Sequence, residues 1–141
     1  MKLGRLSHIG AILLIAAVPS AAQEGADQWE RGDDPVTLTN GLRHIASNIY
    51  VTCSPHGGFV RISVPAASDH DMALAAGDGT SSVFERTLTD GRLHGFTNVD
   101  DPLYAAALAH RGLNIDGKAL GFSDKDVRYF SLLMRVCKDP S

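Results

Sequence analysis

Residues 122–137 read "FSDKDVRYFSLLMRVC" and carry the signals of a capped amphipathic helix. Ser123 is a favoured N-cap residue, and Asp126, three positions later, approximates a capping box. Apolar residues then recur at helical spacing and form one stripe, made by Val127, Phe130, Leu133, Met134 and Cys137. The pattern predicts a C-terminal helix near 123–137 that ends with Cys137 on its buried side.

The chain has two cysteines, and the other one, Cys53, follows a β-rich segment in "NIYVTCSPHGGF" (48–59). Two cysteines in an exported protein are expected to pair, because the compartment is oxidising. A reactive thiol is the alternative interpretation, but a helix C-terminus disfavours the thiolate form of Cys137. We therefore predict a Cys53–Cys137 disulfide that fastens the last helix to the strand before Cys53.

Export is itself predicted from the first residues, "MKLGRLSHIGAILLIAAVPSAAQ". Lys2 and Arg5 precede an apolar run over 9–18, and the small residues Ser20 and Ala22 suit signal-peptidase cleavage. A membrane-spanning helix needs roughly 20 apolar residues, about twice this run, so a retained anchor is the less favoured alternative. The prediction is a signal peptide over 1–22, no stable membrane span after cleavage, and a periplasmic or secreted protein.

The charge of the mature chain limits its partners. Of the 13 Lys and Arg residues, Lys2 and Arg5 fall in the predicted signal, which leaves 11 against 16 Asp and Glu. The remaining basic residues are scattered and form no run. Because nucleic-acid binding requires concentrated positive charge to displace phosphate counterions, we expect no nucleic-acid partner. A polybasic membrane-surface role is disfavoured for the same reason.

Composition divides the mature chain into two segments. Residues 23–35, "QEGADQWERGDDP", are polar, acidic and without periodicity, which predicts a disordered N-terminal arm in which Trp29 alone is suited to docking. Residues 36–141 carry no internal repeat and no linker, and they predict a single exported α+β domain.

Hairpin signals dominate that domain. "FVRISVP" (59–65) alternates apolar and polar residues, as a half-buried strand does. Turns are predicted at three dipeptides, Asn40-Gly41, Asp90-Gly91 and Asp116-Gly117. Pro102 and the alanines after it predict a short helix near 102–111. The expected fold is α+β: a small antiparallel β-sheet or sandwich built from hairpins, with this short helix and the C-terminal one.

Two segments give more specific expectations. In "AASDHDMALAAGDG" (66–79), Ser68 is suited to cap a short helical turn that carries Met72 and stops at Gly77. In the strand before Asp90-Gly91, regular alternation places Phe84 and Leu88 on the same face.

Candidate catalytic or metal-binding groups are sparse. "SDHD" (68–71) sets His70 between carboxylates, so His70 and Asp71 form a weak alternative metal site, against the favoured interpretation of a polar loop. Asp100 and Asp101 precede a helix start, where capping is favoured over acid–base catalysis. The sequence contains no G-x-S-x-G, P-loop or H-E-x-x-H pattern. We predict no catalytic residue, no metal and no cofactor.

The segment "CSPHGGF" (53–59) contains the candidate binding loop. Pro55, His56, Gly57 and Gly58 follow the predicted disulfide, and exposed loops held by a rigid scaffold are where binding residues concentrate. A plain β-turn without a binding role is the favoured interpretation of these residues, and the binding loop is the alternative that the prediction of function uses.

The strand before Cys53, the glycine turn after it, and the segments "FVRISVP" and "YFSLLMRVC" (129–137) resemble small periplasmic proteins of the invasion-associated locus B family. The resemblance covers residues 48–65 and 113–137. The chain departs from that pattern in two places: it lacks the tryptophan that the family often has just before its first cysteine, with Tyr50 three positions earlier instead, and its second cysteine, Cys137, lies far downstream. The resemblance implies an envelope protein involved in surface interaction and brings no catalytic residue with it.

Together these features predict a non-catalytic exported domain that binds another macromolecule, as a surface-interaction factor, an inhibitor or an accessory subunit. The expected partner is an envelope or extracellular protein. Two alternatives stay open. One is a small periplasmic hydrolase or metal-dependent enzyme that uses His70 and nearby acids, and the other is a small-molecule or metal carrier that uses the scattered histidines.

Overall fold

A computed structural model describes residues 27–33 and 40–138 of the chain. Over these residues the chain forms ten strands and two helices. In order, they are β1 (Trp29–Asp33), β2 (Asn40–His44), β3 (Ile49–Thr52), β4 (Phe59–Pro65), β5 (Ala73–Ala76), β6 (Gly79–Ser82), β7 (Phe84–Thr89), β8 (Arg92–Asn98), α1 (Pro102–His110), β9 (Gly112–Ile115), β10 (Lys118–Gly121) and α2 (Asp124–Cys137). The predicted signal peptide, 1–22, lies outside the described residues.

The strands pair antiparallel in two sheets in the part of the chain that the structure describes. The large sheet has the order β1-β2-β3-β4-β8-β7, and the small sheet has the order β10-β9-β5-β6. Helix α1 packs on β5, β6 and β9, and α2 contacts α1 and β2. Neither of these two described helices is long and apolar enough to cross a bilayer. The predicted α+β class, built from hairpins, is confirmed.

Two of the three predicted hairpin turns are confirmed. Asp90-Gly91 joins β7 to β8, and Asp116-Gly117 joins β9 to β10. Both residues of each pair have positive φ, between 53° and 85°, as two-residue turns with the right-handed twist of the strands require. The alternation in β4 is confirmed for its apolar face, because Val60, Ile62 and Val64 are all buried, but Ser63 on the opposite face is buried as well.

The turn predicted at Asn40-Gly41 is wrong. Both residues belong to β2, where Gly41 pairs with Gly32 of β1 on one side and with Thr52 of β3 on the other. A side chain at Gly41 would bring its Cβ within 2.3 Å of the Val51 carbonyl oxygen. Glycine is therefore needed here for close strand approach rather than for a turn, and the β2–β3 turn lies at 45–48.

The helical turn predicted within 66–79 is also wrong, because Ala73–Ala76 forms strand β5. This strand lies between β6 and β9, and both neighbours supply backbone hydrogen-bond partners. Leu74 is buried on it. The preference of alanine and leucine for a helix amounts to only about a few tenths of a kcal/mol per residue. Pairing with a strand on each side overrides a preference of that size.

The disordered arm is wrong for the residues that the structure describes, since Trp29–Asp33 forms β1 at the edge of the large sheet. Trp29 is 2% exposed and meets Phe122 and Phe130 edge to face, at ring-centroid distances of 5.7 and 5.9 Å. Its indole N–H donates to the Gly121 carbonyl at 3.2 Å. Burial of this one large ring holds an otherwise polar segment in place. Residues 23–26 and 34–35 of the predicted arm lie outside the described residues.

Both predicted helices are confirmed together with their caps. The Ser123 hydroxyl accepts from the Asp126 N–H at 3.1 Å, and the Asp126 carboxylate accepts from the Ser123 N–H at 2.9 Å. At the start of α1, the Asp101 carboxylate accepts from the Leu103 N–H at 2.9 Å and from the Ser81 hydroxyl at 2.5 Å. Asp101 therefore has the capping role that its position ahead of Pro102 predicts.

Candidate functional site

The candidate binding loop, 55–58, closes the C-terminal end of α2. The backbone N–H of His56 donates to the Val136 carbonyl at 2.7 Å, and that of Gly58 donates to the Cys137 carbonyl at 2.8 Å. The last carbonyls of a helix have no partner within the helix, so the loop satisfies groups that would otherwise need water. His56 and Gly58 both have positive φ, which gives the loop the tight curvature of this contact.

The predicted disulfide is confirmed beside the loop. The Sγ atoms of Cys53 and Cys137 are 2.05 Å apart and their Cα atoms 5.6 Å apart, within the ordinary range for a bridge. Both residues are buried. Cys53 directly follows β3, and Cys137 is the last residue of α2. A covalent bond and two backbone hydrogen bonds therefore fix the loop to the helix.

The outer side of the loop consists of the side chains of Pro55 and His56, both of which are exposed. His56 Nδ1 lies 3.2 Å from the Lys138 carbonyl oxygen. A carbonyl oxygen only accepts, so Nδ1 carries the hydrogen in this contact. The loop amides thus have a structural task, and the pyrrolidine and imidazole rings form the surface that a partner can reach.

A cleft of about 340 Å³ lies next to the loop. Ser54 and Gly57 line its loop side, and Phe59, Arg61 and Phe96 line its sheet side. The register of β4 with β8 sets Arg61 directly opposite Phe96, and the Arg61 guanidinium lies 5.7 Å from the centre of the Phe96 ring. The cleft therefore adjoins the loop and is lined on its other side by aromatic rings and a cationic side chain.

Phe84 of β7 extends this arrangement to the edge of the sheet. Its ring centre is 5.7 Å from that of Phe59, edge to face, and 6.3 Å from that of Phe96. Phe59 is 47% exposed and Phe84 is 37% exposed. We call Phe59, Phe84, Phe96 and Arg61 the aromatic surface. Phe84 contacts both of the other rings, and it and Phe59 remain partly exposed. An exposed apolar cluster of this kind is typical of binding sites rather than of core packing.

A β-bulge in β7 creates the aromatic surface. Phe84 pairs with Phe96 and Thr87 pairs with His94, so three steps on β7 match two on β8. Phe96 and His94 are two residues apart and share one face, which places Phe84 and Thr87 on that face as well. The regular alternation predicted for this strand is therefore wrong, because Leu88 pairs with Leu93 on the opposite face.

The sequence predicts the loop but not the aromatic surface. The available signal is weak: Phe59, Phe84 and Phe96 are phenylalanines at strand positions, as many core residues are. Their convergence depends on the pairing of β4, β8 and β7 and on the bulge, and both are non-local. Because this strand register cannot be read from local sequence, the sequence does not predict the aromatic surface.

His70 and Asp71, the alternative metal pair, are engaged with different partners. His70 Nε2 lies 2.5 Å from a carboxylate oxygen of Asp116 and Nδ1 lies 3.0 Å from the Ser68 carbonyl. Asp71 is 3.2 Å from the Arg86 guanidinium. Across 27–33 and 40–138, no three His, Cys, Asp or Glu side chains are arranged to hold a metal ion. The structure thus brings the loop to the aromatic surface and places His70 in a separate ion pair.

No protein-family model, curated protein or solved structure matches this chain.

Proposed function

We propose that this chain is a non-catalytic, exported domain that binds another protein of the envelope or extracellular space through the aromatic surface and the adjoining loop. The observation that carries the proposal is the exposed contact between Phe59 and Phe84 beside Arg61. Aromatic residues and arginine are the side chains enriched where protein interfaces draw most of their affinity. The acidic chain, with a formal charge of −3 in its full sequence, disfavours a phosphate-rich partner.

Rigidity supports the same proposal. Partners that meet a pre-ordered surface lose less conformational entropy on binding. Here the loop is anchored by the disulfide and by the bonds from His56 and Gly58 to α2. The rings stand on paired strands of the large sheet. A surface built in this way binds with little rearrangement of its own backbone.

Export to the periplasm or beyond the cell is supported by the Cys53–Cys137 bridge, since structural disulfides persist where thiols are oxidised. The signal-like residues 1–22 and the resemblance to the invasion-associated locus B family favour the same compartment. An inhibitor, an accessory subunit and a surface-interaction factor all meet this description. His70 and its neighbouring acids have ion-pair partners, which favours a binding role over a hydrolytic one.

The test is site-specific photo-crosslinking with the mature chain in envelope extracts. A photoreactive phenylalanine analogue replaces Phe59 in one sample and Phe84 in another, and a third carries it at Ile45. Ile45 is the matched control because it is also 47% exposed but lies in the β2–β3 turn. We expect one protein to crosslink at 59 and 84 and not at 45. That protein is then purified for affinity measurement.

Phe59→Ala and Phe84→Ala are each expected to weaken binding of that protein by about 1–2 kcal/mol, roughly 5- to 30-fold. Ile45→Ala is expected to leave the affinity unchanged. All three side chains are substantially exposed, so the melting temperature of each variant should stay close to that of the native chain. Equal affinity of the native and both phenylalanine variants would show that the partner binds elsewhere.

A further inference from the structure

Residues 68–71 connect the two sheets through side chains as well as through the backbone. The segment follows β4 of the large sheet and precedes β5 of the small one. On the large-sheet side, Asp69 and Asp71 lie 3.1 and 3.2 Å from the Arg86 guanidinium of β7. On the small-sheet side, His70 contacts Asp116 in the β9–β10 turn. The segment is thus clamped to both sheets by charged groups.

The contacts of His70 require a charged imidazole ring. Nδ1 meets the Ser68 carbonyl at 3.0 Å, and Nε2 meets the Asp116 carboxylate at 2.5 Å. Both oxygens only accept hydrogen bonds, so both ring nitrogens must carry a hydrogen. Either neutral tautomer would leave one nitrogen lone pair facing an oxygen lone pair. The imidazolium alone satisfies both contacts.

We propose that His70 and Asp116 form a proton-dependent latch between the segment 68–71 and the β9–β10 turn, an ion pair while His70 is protonated and a weaker, uncharged contact when it loses its proton. The charged groups around His70 are Asp116 from the turn, Asp69 and Asp71 from its own segment, and Arg86 from β7, which is shared by those two aspartates. Loss of the proton leaves the pairs with Arg86 in place. The attachment of the β9–β10 turn then depends more on the backbone hydrogen bond from Asp116 to Ala73 of β5.

The electrostatics of the latch set its pH range. The hydrogen bond to Asp116, then the bond to Ser68 and the nearby charges, raise the pKa of His70 above its ordinary value of 6.5. Because the folded-state pKa is the higher one, the stabilisation is fully present below about 6.5 and is lost as the pH rises through the folded-state value. The pH of a periplasm or an extracellular medium follows the surroundings, so an exported chain would experience this range.

A second histidine acts in the opposite direction. Burial lowers the pKa of His44, against a smaller opposing effect of the Asp126 charge. His44 therefore destabilises the folded chain as the pH falls through about 6.5, where the unfolded chain takes up the proton. Since the two effects overlap, a global melting curve mixes them. The latch needs a measurement that reports on each residue separately.

The test combines two NMR measurements on the mature chain: titration of the His70 ring, and hydrogen exchange of the Asp116 amide. That amide donates to the Ala73 carbonyl at 2.7 Å, so its protection reports whether the turn stays attached to β5. After correction for the intrinsic pH dependence of exchange, protection is expected to be several-fold lower at about pH 8.5 than at about pH 5.5. The His70 ring should titrate above its ordinary pKa.

Variants make the result specific. His70→Gln should remove the pH dependence of Asp116 protection, and Asp116→Asn should return the His70 titration towards its ordinary value. His110→Gln is the control, because His110 is an exposed histidine at the end of α1; it should behave as the native chain. A His70 ring that titrates at or below its ordinary value would overturn the latch, as would pH-dependent protection that persists in His70→Gln. Partner binding is not measured, so this result is independent of the proposed function.

Discussion

Asp126 makes hydrogen bonds beyond those of a helix cap. Its buried carboxylate accepts from the N–H of Ser123 within the capping box and from the N–H groups of Gln28 and Trp29 at 3.0 and 3.3 Å. It therefore holds the start of β1 against the start of α2. Next to it in the first turn, Asp124 is 81% exposed and pairs only with Arg111 among the described residues.

Asp126→Ala is expected to lower the free energy of unfolding by about 2–4 kcal/mol, because it leaves buried N–H groups without an acceptor. Asp124→Ala, the matched control, should cost less than about 1 kcal/mol, since exposed ion pairs contribute little. Urea denaturation of both variants measures the difference. Equal losses would mean that the N–H groups of Gln28 and Trp29 find other partners.

Single residues were predictable where their role is local. The sequence predicts Ser123 and Asp126 as a cap because the capping box lies within four consecutive residues. Their second role, binding β1, was not predictable, since Trp29 is distant in sequence. The same limit applies to Phe84, whose orientation depends on how β7 pairs with β8.

At the scale of elements, the disulfide joins β3 to α2 across 84 residues of sequence. A loop of that length corresponds to about 4.6 kcal/mol of stabilisation in the chain-entropy description, with measured values more often about 2–4. We expect reductant, or the Cys53→Ala/Cys137→Ala pair of substitutions, to lower the melting temperature by about 10–20 °C. The alanine variant is the control for reductant, because its own melting temperature should not respond to it.

That expectation fails if the native chain melts at the same temperature with and without reductant, after mass spectrometry has verified that the bridge is reduced. Such a result would mean that the loop's hydrogen bonds to Val136 and Cys137 hold the helix end without the covalent bond.

The sequence predicts an element correctly when the residues of that element determine it, and fails when distant strands do. The Asp90-Gly91 and Asp116-Gly117 turns follow from residues that adopt positive φ readily, and the structure has them. The sequence predicts a helical turn where strand β5 lies because the alanines there favour a helix, whereas the strand depends on pairing with β6 and β9. Asn40-Gly41 has turn chemistry too, but Gly41 serves close packing against β3.

At the scale of the whole molecule, the structure moves the start of the folded domain from residue 36 to Trp29 or earlier. A chain of residues 36–141 lacks β1 and leaves the site of the Trp29 ring empty among Phe122 and Phe130. We expect it to lose at least about 3 kcal/mol of stability, the usual cost of removing a buried tryptophan. Circular dichroism during urea denaturation measures the loss.

The comparison chains are 27–141 and 23–141. They should denature together, because both keep the Trp29 contacts and the bond to Asp126. If 36–141 denatured at the same urea concentration as these two, β1 would contribute nothing to stability and the sequence-predicted boundary at 36 would be correct.

Of the two parts of the candidate site, the sequence predicts the loop but not the aromatic surface. The loop at 55–58 can be predicted because a cysteine, a proline and two glycines lie within a few residues of one another in the sequence. The aromatic surface requires the order β4-β8-β7, in which a strand late in the sequence is inserted beside an early one. Sequence alone indicates which residues turn the chain, but the position of a non-neighbouring strand is decided by the packing of the whole sheet.

The pair of cysteines also constrains how the chain matures. Two thiols allow one intramolecular connectivity, so air, a quinone-linked oxidase or any other oxidant reaches the same product. No scrambled isomer exists within one chain, and no shuffling catalyst is needed to correct one. In the folded chain Cys53 and Cys137 meet where the strand end and the helix end adjoin, so the single bond that two cysteines allow is also the one that the native topology brings together.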